Sequence, residues 1–184
     1  MLSEWEKFAG WKVLRHFLEN PSGEFFIRET ARALKLSPRS AHIYCNVYEK
    51  DGILLTEKKA NARMFRLNNS LASVKALKRF YLLSLLEEMR VAEKVIAGNP
   101  DTITIAVYGS HASGEYDEKS DIDFIVLSEK KLDRGAFVTL QKKLGKQIQL
   151  TELTIAEWTG MKRKNEAFAL AVLGNHIIIH GARL

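Results

Sequence analysis

ITIAVYGSHASGEYDEKSDIDFIVL, residues 103–127, sets two apolar, β-branched runs on either side of a loop rich in glycine, serine and aspartate. The runs at 103–108 and 122–127 read as strands, because branched side chains pack well on a pleated surface. Asp121 and Asp123 open the second run two residues apart, so a period of two sends both carboxylates to one face, and Ile122 and Phe124 to the other. Carboxylates held that close repel unless a cation sits between them, and an oxygen-seeking ion such as Mg²⁺ is the natural occupant. Gly109 and Ser110, directly after the first strand, can offer backbone N–H groups and a hydroxyl to a phosphate with little obstruction.

The stretch GSHASGEYDEKSDID resembles the signature of the DNA polymerase β-like nucleotidyltransferases: a Gly-Ser pair, a short glycine-bearing loop, then Ser-Asp-x-Asp. It is most similar to the minimal nucleotidyltransferase branch, which includes small prokaryotic proteins and relatives of kanamycin nucleotidyltransferase, and the likeness extends over residues 101–181. The resemblance implies in-line attack by a hydroxyl on the α-phosphorus of a nucleoside triphosphate, with two divalent ions bridging carboxylates and phosphates. It assigns the distal phosphates to Gly109 and Ser110, and metal ligation and catalysis to Asp121 and Asp123. A third acid normally stands on the strand that corresponds to residues 146–152. Here that position falls on Gln149, an uncharged amide, and Glu152 could replace it only if a bulge reversed its parity. Ser113 stands where many relatives carry arginine, leaving Lys119 or His111 either to compensate or to serve as solvated loop residues.

The chain has 184 residues, 46% of them hydrophobic, enough for one generous core or two small ones. No apolar run approaches the roughly 20 residues that span a bilayer, and no signal-like start is present, so a cytoplasmic protein without a membrane partner is expected. The single cysteine, Cys45, excludes an intrachain disulfide and reads as a buried small hydrophobe, with a reactive thiol as the alternative. A net charge of +6 is compatible with nucleic-acid or nucleotide binding.

In residues 1–69, Trp5, Phe8, Trp11, Val13, Leu14, Phe17 and Leu18 recur at helical spacings and predict one amphipathic helix over 4–19. A second helix, carrying Ile27, Ala31 and Leu34, is expected to end near Lys35. Ser37 then caps a third at 38–50, with Pro38 in its first turn. Asp51 and Gly52 close it, and residues 53–55 and 64–67 read as a hairpin. The segment IRETARALKLSPRSAHIYCNVYEKDGILLTEKKANARMFRLN is similar to winged helix-turn-helix regulators. That resemblance implies that the third helix enters the major groove of double-stranded DNA while the hairpin touches the backbone. Arg39, Ser40 and His42 occupy the first exposed turns of the reading helix, and Lys58, Lys59, Arg63 and Arg66 lie on the wing with no acid between residues 58 and 66. Ordinary solvated surface is the competing reading of these side chains.

Residues 70–96 contain almost no breaker and carry a broad apolar stripe, which predicts one helix about 40 Å long at 1.5 Å per residue. Such a helix, within a linker at 70–98, is expected either at a homodimer interface or as the seam between two domains. Residues 99–184 form the second module, with a helix at 132–144, a strand at 146–152, a helical turn at 155–159, a helix at 165–173 and a closing strand at 176–180. The expected fold class is α/β (α+β), with a winged helix-turn-helix, a linking helix and a nucleotidyltransferase-like mixed sheet. The expected function is a DNA-binding transcriptional regulator whose nucleotidyltransferase-like domain is of doubtful catalytic competence, because of Gln149. The alternatives are an active Mg²⁺-dependent nucleotidyltransferase acting on a protein, nucleic-acid or small-molecule hydroxyl, and an antitoxin-like protein with a protein partner.

Overall fold

The computed structural model describes residues 2–59 and 61–184, and the chain divides into two compact units, one up to Ser84 and the other Leu85–Leu184. The first unit opens with α1 (Leu2–Trp5) and α2 (Ala9–Glu19), where the spacing predicts a single helix. The break lies at Glu6–Phe8, and the Phe8 backbone is extended. Glu6 Oε1 accepts hydrogen bonds from Trp11 Nε1 at 3.1 Å and Arg15 at 2.6 Å, folding the preceding turn back on α2. Phe8, which the helical pattern would bury, is 64% exposed.

β1 (Glu24–Phe26) and α3 (Ile27–Ala33) follow, then α4 (Pro38–Lys50), β2 (Leu54–Lys59) and β3 (Ala62–Leu67). Ser37 caps α4 by accepting a bond from the Ser40 N–H at 3.0 Å. The three strands form an antiparallel sheet in the order β1-β3-β2. β1 does not appear in the sequence reading, because three residues are too few to show a period. Val13, Phe17, Leu18, Cys45, Phe65 and Val74 lie in one core, where burying a Leu or Phe side chain contributes about 1.5–3 kcal/mol.

The long helix α5 (Ala72–Glu88) leads from the first unit into the second. The expected continuous helix stops there: Arg90 takes left-handed angles, φ 52° and ψ 48°, and α6 (Val91–Gly98) starts anew, with Val91 and Val95 buried. The local sequence at the break, Leu85 to Glu93, carries neither proline nor glycine.

The second unit continues with β4 (Thr102–Tyr108), α7 (Gly109–Ser113), β5 (Ile122–Ser128), α8 (Gly135–Leu144), β6 (Ile148–Leu153), α9 (Ile155–Arg163), α10 (Ala167–Gly174) and β7 (His176–Gly181). Its sheet is mixed, in the order β6-β5-β4-β7, with β5 and β6 parallel and the other pairs antiparallel. On one face Phe124 meets Phe137 of α8 edge to face at 5.2 Å. On the other, Ala106, Ile125 and Leu127 share a core with Trp158 of α9 and with Ala169 and Val172 of α10. Covering both faces explains why β4 and β5 read as nearly unbroken apolar runs. α9 is a full helix rather than a turn, nucleated by a reciprocal cap in which Thr154 and Glu157 each accept the other's backbone N–H. Among the described residues no helix is long and apolar enough to cross a membrane.

Candidate functional site

The residues after β4 begin a short helix rather than an open loop, and Gly109, its first residue, has φ +70°. A Cβ placed on Gly109 would lie 2.6 Å from Asp123 Oδ2. Glycine is therefore required twice at this position, for the left-handed backbone and for the close approach of the carboxylate. The contact brings Asp123 of β5 against the first turn of α7, where Ser110 follows.

One row of side chains runs across the sheet at this end. Gln149 of β6 is in register with Asp123, Asp123 with Tyr108, and Tyr108 with His176 of β7. Register partners in adjacent strands project to the same face. Asp121 precedes the strand on the same parity and accepts a hydrogen bond from Gln149 Nε2 at 3.2 Å. Burial, and then the charge of Asp121, raise the pKa of Asp123. Among the described residues no third His, Cys, Asp or Glu completes a metal-binding cluster.

Glu152 does not fill that gap. The pairing of β5 with β6 runs without a bulge from Ile122–Ile148 to Leu127–Leu153, so its parity is opposite to that of Gln149. Its carboxylate accepts a bond from Arg134 Nε at 2.6 Å. His111 is buried and stacks on Tyr116 with ring centroids 4.3 Å apart, and Lys119 is exposed, with only its backbone N–H bonded to Asp117. Ser113 closes α7 by donating to the Ser110 carbonyl.

Two residues near the site escaped the sequence reading. Lys146 Nζ donates to the carbonyls of Asp117 and Glu118 at 3.2 and 3.0 Å, holding the loop that leads into Asp121. Burial lowers its pKa, while Asp117, Glu118 and Asp121 raise it. The Tyr108 hydroxyl lies 3.2 Å from Thr151 Oγ1 on β6, so its ring crosses β5 and walls the inner side of Asp123; Phe168 meets that ring edge to face. A tyrosine directly before the Gly-Ser pair was the available signal.

In the first unit, Arg39 and His42 are exposed at the start of α4, with the His42 ring beside Asn46, and Ser40 is tied to the Ser37 cap. Lys58 is exposed on β2. The wing cations are not free of acids as the sequence suggests: Lys59 pairs with Glu24 of β1 at 3.0 Å, and Arg63 pairs with Glu49 of α4 and lies over the Phe65 ring. Both acids reach the hairpin from elements distant in sequence. Phe26, Ile27, Pro38, His42 and Ala62 line a concavity of about 870 Å³ beside these residues. Cys45 is fully buried and its thiol pKa is pushed up to about 12, which makes it a core hydrophobe rather than a reactive thiol.

The donor set fits a divalent cation. Asp121 and Asp123 share a face, their charges oppose each other, and the amide of Gln149 can turn its oxygen inward as a neutral third group. The paired acids thus stand against a Gly-Ser turn at one end of a mixed sheet. Residues 88–168 match the nucleotidyltransferase domain family. Solved structures with a similar fold include a toxin–antitoxin crystallised with AMP-PNP, 20% identical over 52% of this chain and 74% of that one, with a TM-score of 0.38. A mutant of the toxin–antitoxin MntA-HpeT is also 20% identical with the same coverage and a TM-score of 0.37. A candidate nucleotidyltransferase from Sulfolobus solfataricus is 17% identical over 57% of this chain and 85% of that one, with a TM-score of 0.33. No curated protein matches the sequence. The family match corrects the expected DNA-binding regulator of doubtful catalysis, because the matched domain family is a nucleotidyltransferase.

Proposed function

We propose that the chain is a Mg²⁺-dependent nucleotidyltransferase that moves a nucleoside monophosphate from a nucleoside triphosphate to a hydroxyl group. The observation that carries this reading is the Asp123 carboxylate packed against the Cα of Gly109, which sets an acid beside a turn with open backbone. Gly109 and Ser110 would hold the distal phosphates, and Asp121 and Asp123 the cation. Mg²⁺, when bound, neutralises phosphate charge and lowers the pKa of the attacking hydroxyl. Gln149 orients Asp121 through its amide, and Tyr108 keeps water from the inner side of Asp123. The acceptor hydroxyl gives up its proton to water as its oxygen bonds to the α-phosphorus, the bond to the bridging oxygen breaks, and pyrophosphate leaves.

The toxin–antitoxin proteins named above make hydroxyls on a partner protein the first acceptors to try, which joins the enzyme to an antitoxin-like role. The test is pyrophosphate release from ATP and Mg²⁺ with such a partner. Asp121→Asn and Asp123→Asn are each expected to abolish it, and full activity in either variant would dismiss the acid pair.

We further propose that the first unit is a winged helix-turn-helix. Arg39, Ser40, His42, Lys58, Lys59 and Arg63 would contact double-stranded DNA and place the enzyme on it. Lys58→Ala should weaken binding to all sequences and flatten its salt dependence, because the contact is to phosphate. A cytoplasmic homodimer completes the proposal, and the mass in solution tests its subunit number.

A further inference from the structure

Asp121 precedes β5 and lies outside its ladder, so strand pairing alone does not hold its carboxylate beside Asp123. The residues ahead of it close on themselves: the Asp117 N–H donates to Ser120 Oγ at 2.9 Å, and that hydroxyl and the Lys119 N–H donate to Asp117 Oδ1 at 2.8 and 2.9 Å. Lys146, two residues before β6, ties this closed turn to the sheet through the carbonyls of Asp117 and Glu118. Directly after Asp121, the Ile122 N–H donates to the Gln147 carbonyl at 3.0 Å. Consecutive residues at the start of β6 thus grip the chain on both sides of Asp121.

The same ammonium is linked to the Gly-Ser turn. Lys146 Nζ lies 5.9 Å from the centre of the Tyr116 ring, and Tyr116 is buried in a stack with His111 of α7, the residue after Ser110. One end of the loop is therefore fixed on α7 by stacked rings, and its middle on β6 by charge-assisted hydrogen bonds, which are the stronger kind. Burial lowers the pKa of Lys146, and the charges of Asp117, Glu118 and Asp121 oppose that shift, so its ammonium also acts on Asp121 through space. Its two effects on a bound cation have opposite signs. As a positive charge it repels a divalent ion, and as an anchor it keeps Asp121 in place to receive one.

We infer that Lys146 is a positioning residue for the acid pair: by fixing the Asp117 and Glu118 carbonyls it holds the Asp121 carboxylate toward the cation, and this anchoring outweighs the repulsion from its own charge. The inference rests on the nucleotidyltransferase reading and adds to it the group that sets the cation affinity of its site.

The test is calorimetric titration of the full chain with Mg²⁺ alone. Lys146→Met keeps an apolar stem beside Tyr116 but loses the donors and the charge, and should weaken Mg²⁺ binding roughly 10- to 100-fold, the usual effect of losing a group that orients a metal ligand. Lys146→Arg retains N–H groups for the two carbonyls and should recover most of that affinity. Lys119→Met removes an equal charge from the same loop at an exposed side chain, and should leave Mg²⁺ binding unchanged or tighten it. Unchanged or tighter binding by Lys146→Met would show that only the repulsion operates and would overturn the inference. Equal weakening in Lys119→Met would overturn it as well, because loss of charge alone would then suffice. If thermal melting shows that Lys146→Met does not fold, Lys146→Gln, whose amide ends one atom short of the ammonium, is read in its place by the same criteria. A wild-type chain that binds no Mg²⁺ defeats the nucleotidyltransferase reading and this inference with it, whereas wild-type affinity retained in Lys146→Met defeats this inference alone.

Discussion

Replacing Gly109 with alanine tests the link between backbone and acid directly. The new Cβ would stand 2.6 Å from Asp123 Oδ2, where ordinary contact begins at 3.4 Å, so the carboxylate or the turn must move by about 0.8 Å. The left-handed angle costs an alanine about 1–2 kcal/mol, and the overpacking about 1–3 kcal/mol more. Gly145→Ala is the matched control: it lies in the same unit, has φ +62°, and a Cβ there meets nothing within 4 Å. Urea unfolding should therefore find Gly109→Ala less stable than Gly145→Ala by the overpacking cost alone. A carboxylate displaced by nearly an ångström is expected to lower pyrophosphate release by about 100-fold, while Gly145→Ala retains it. Equal stability of the two variants, together with undiminished release in Gly109→Ala, would refute the claim that Gly109 positions Asp123.

Asp123 supplies a second prediction. Its folded pKa is raised above the ordinary value of 3.8, so its favourable contribution to stability exists below that value and is lost as pH rises through the raised one. Asp123→Asn should accordingly raise the melting temperature at neutral pH without divalent ions and remove the stabilisation that Mg²⁺ gives the wild type; a lower melting temperature would contradict the desolvation argument. Gln149→Glu puts a third carboxylate in register with Asp123 and should tighten Mg²⁺ binding roughly tenfold or more, by direct titration. Unaltered affinity would remove position 149 from the cation site. Cys45, with its thiol pKa near 12, should resist thiol reagents at mildly alkaline pH in the folded protein and react once it is unfolded. Rapid labelling of the native chain would show that the core around it opens.

Much of this fold was legible because the relevant signals are local. The apolar runs of β4 and β5, the Ser37–Pro38 start of α4 and the turn at Gly52 depend on residues close in the chain, and each element forms where its pattern lies. The shared face of Asp121 and Asp123 follows from the period of a strand. The breaks at Glu6–Phe8 and Arg90 were not legible, since both segments favour helix by composition.

The sequence by itself determined the strand–turn–strand core of the second unit and the paired acids that open its second strand, because periodicity and turn chemistry act between neighbours. The folded chain alone decides that Gln149, Asp123, Tyr108 and His176 form one row, that Glu152 faces away from it, and that Lys59 and Arg63 of the wing are met by Glu24 and Glu49. Those relations depend on which strands pair and in what register, and pairing across a sheet is fixed by the burial of both its faces rather than by any stretch of chain alone.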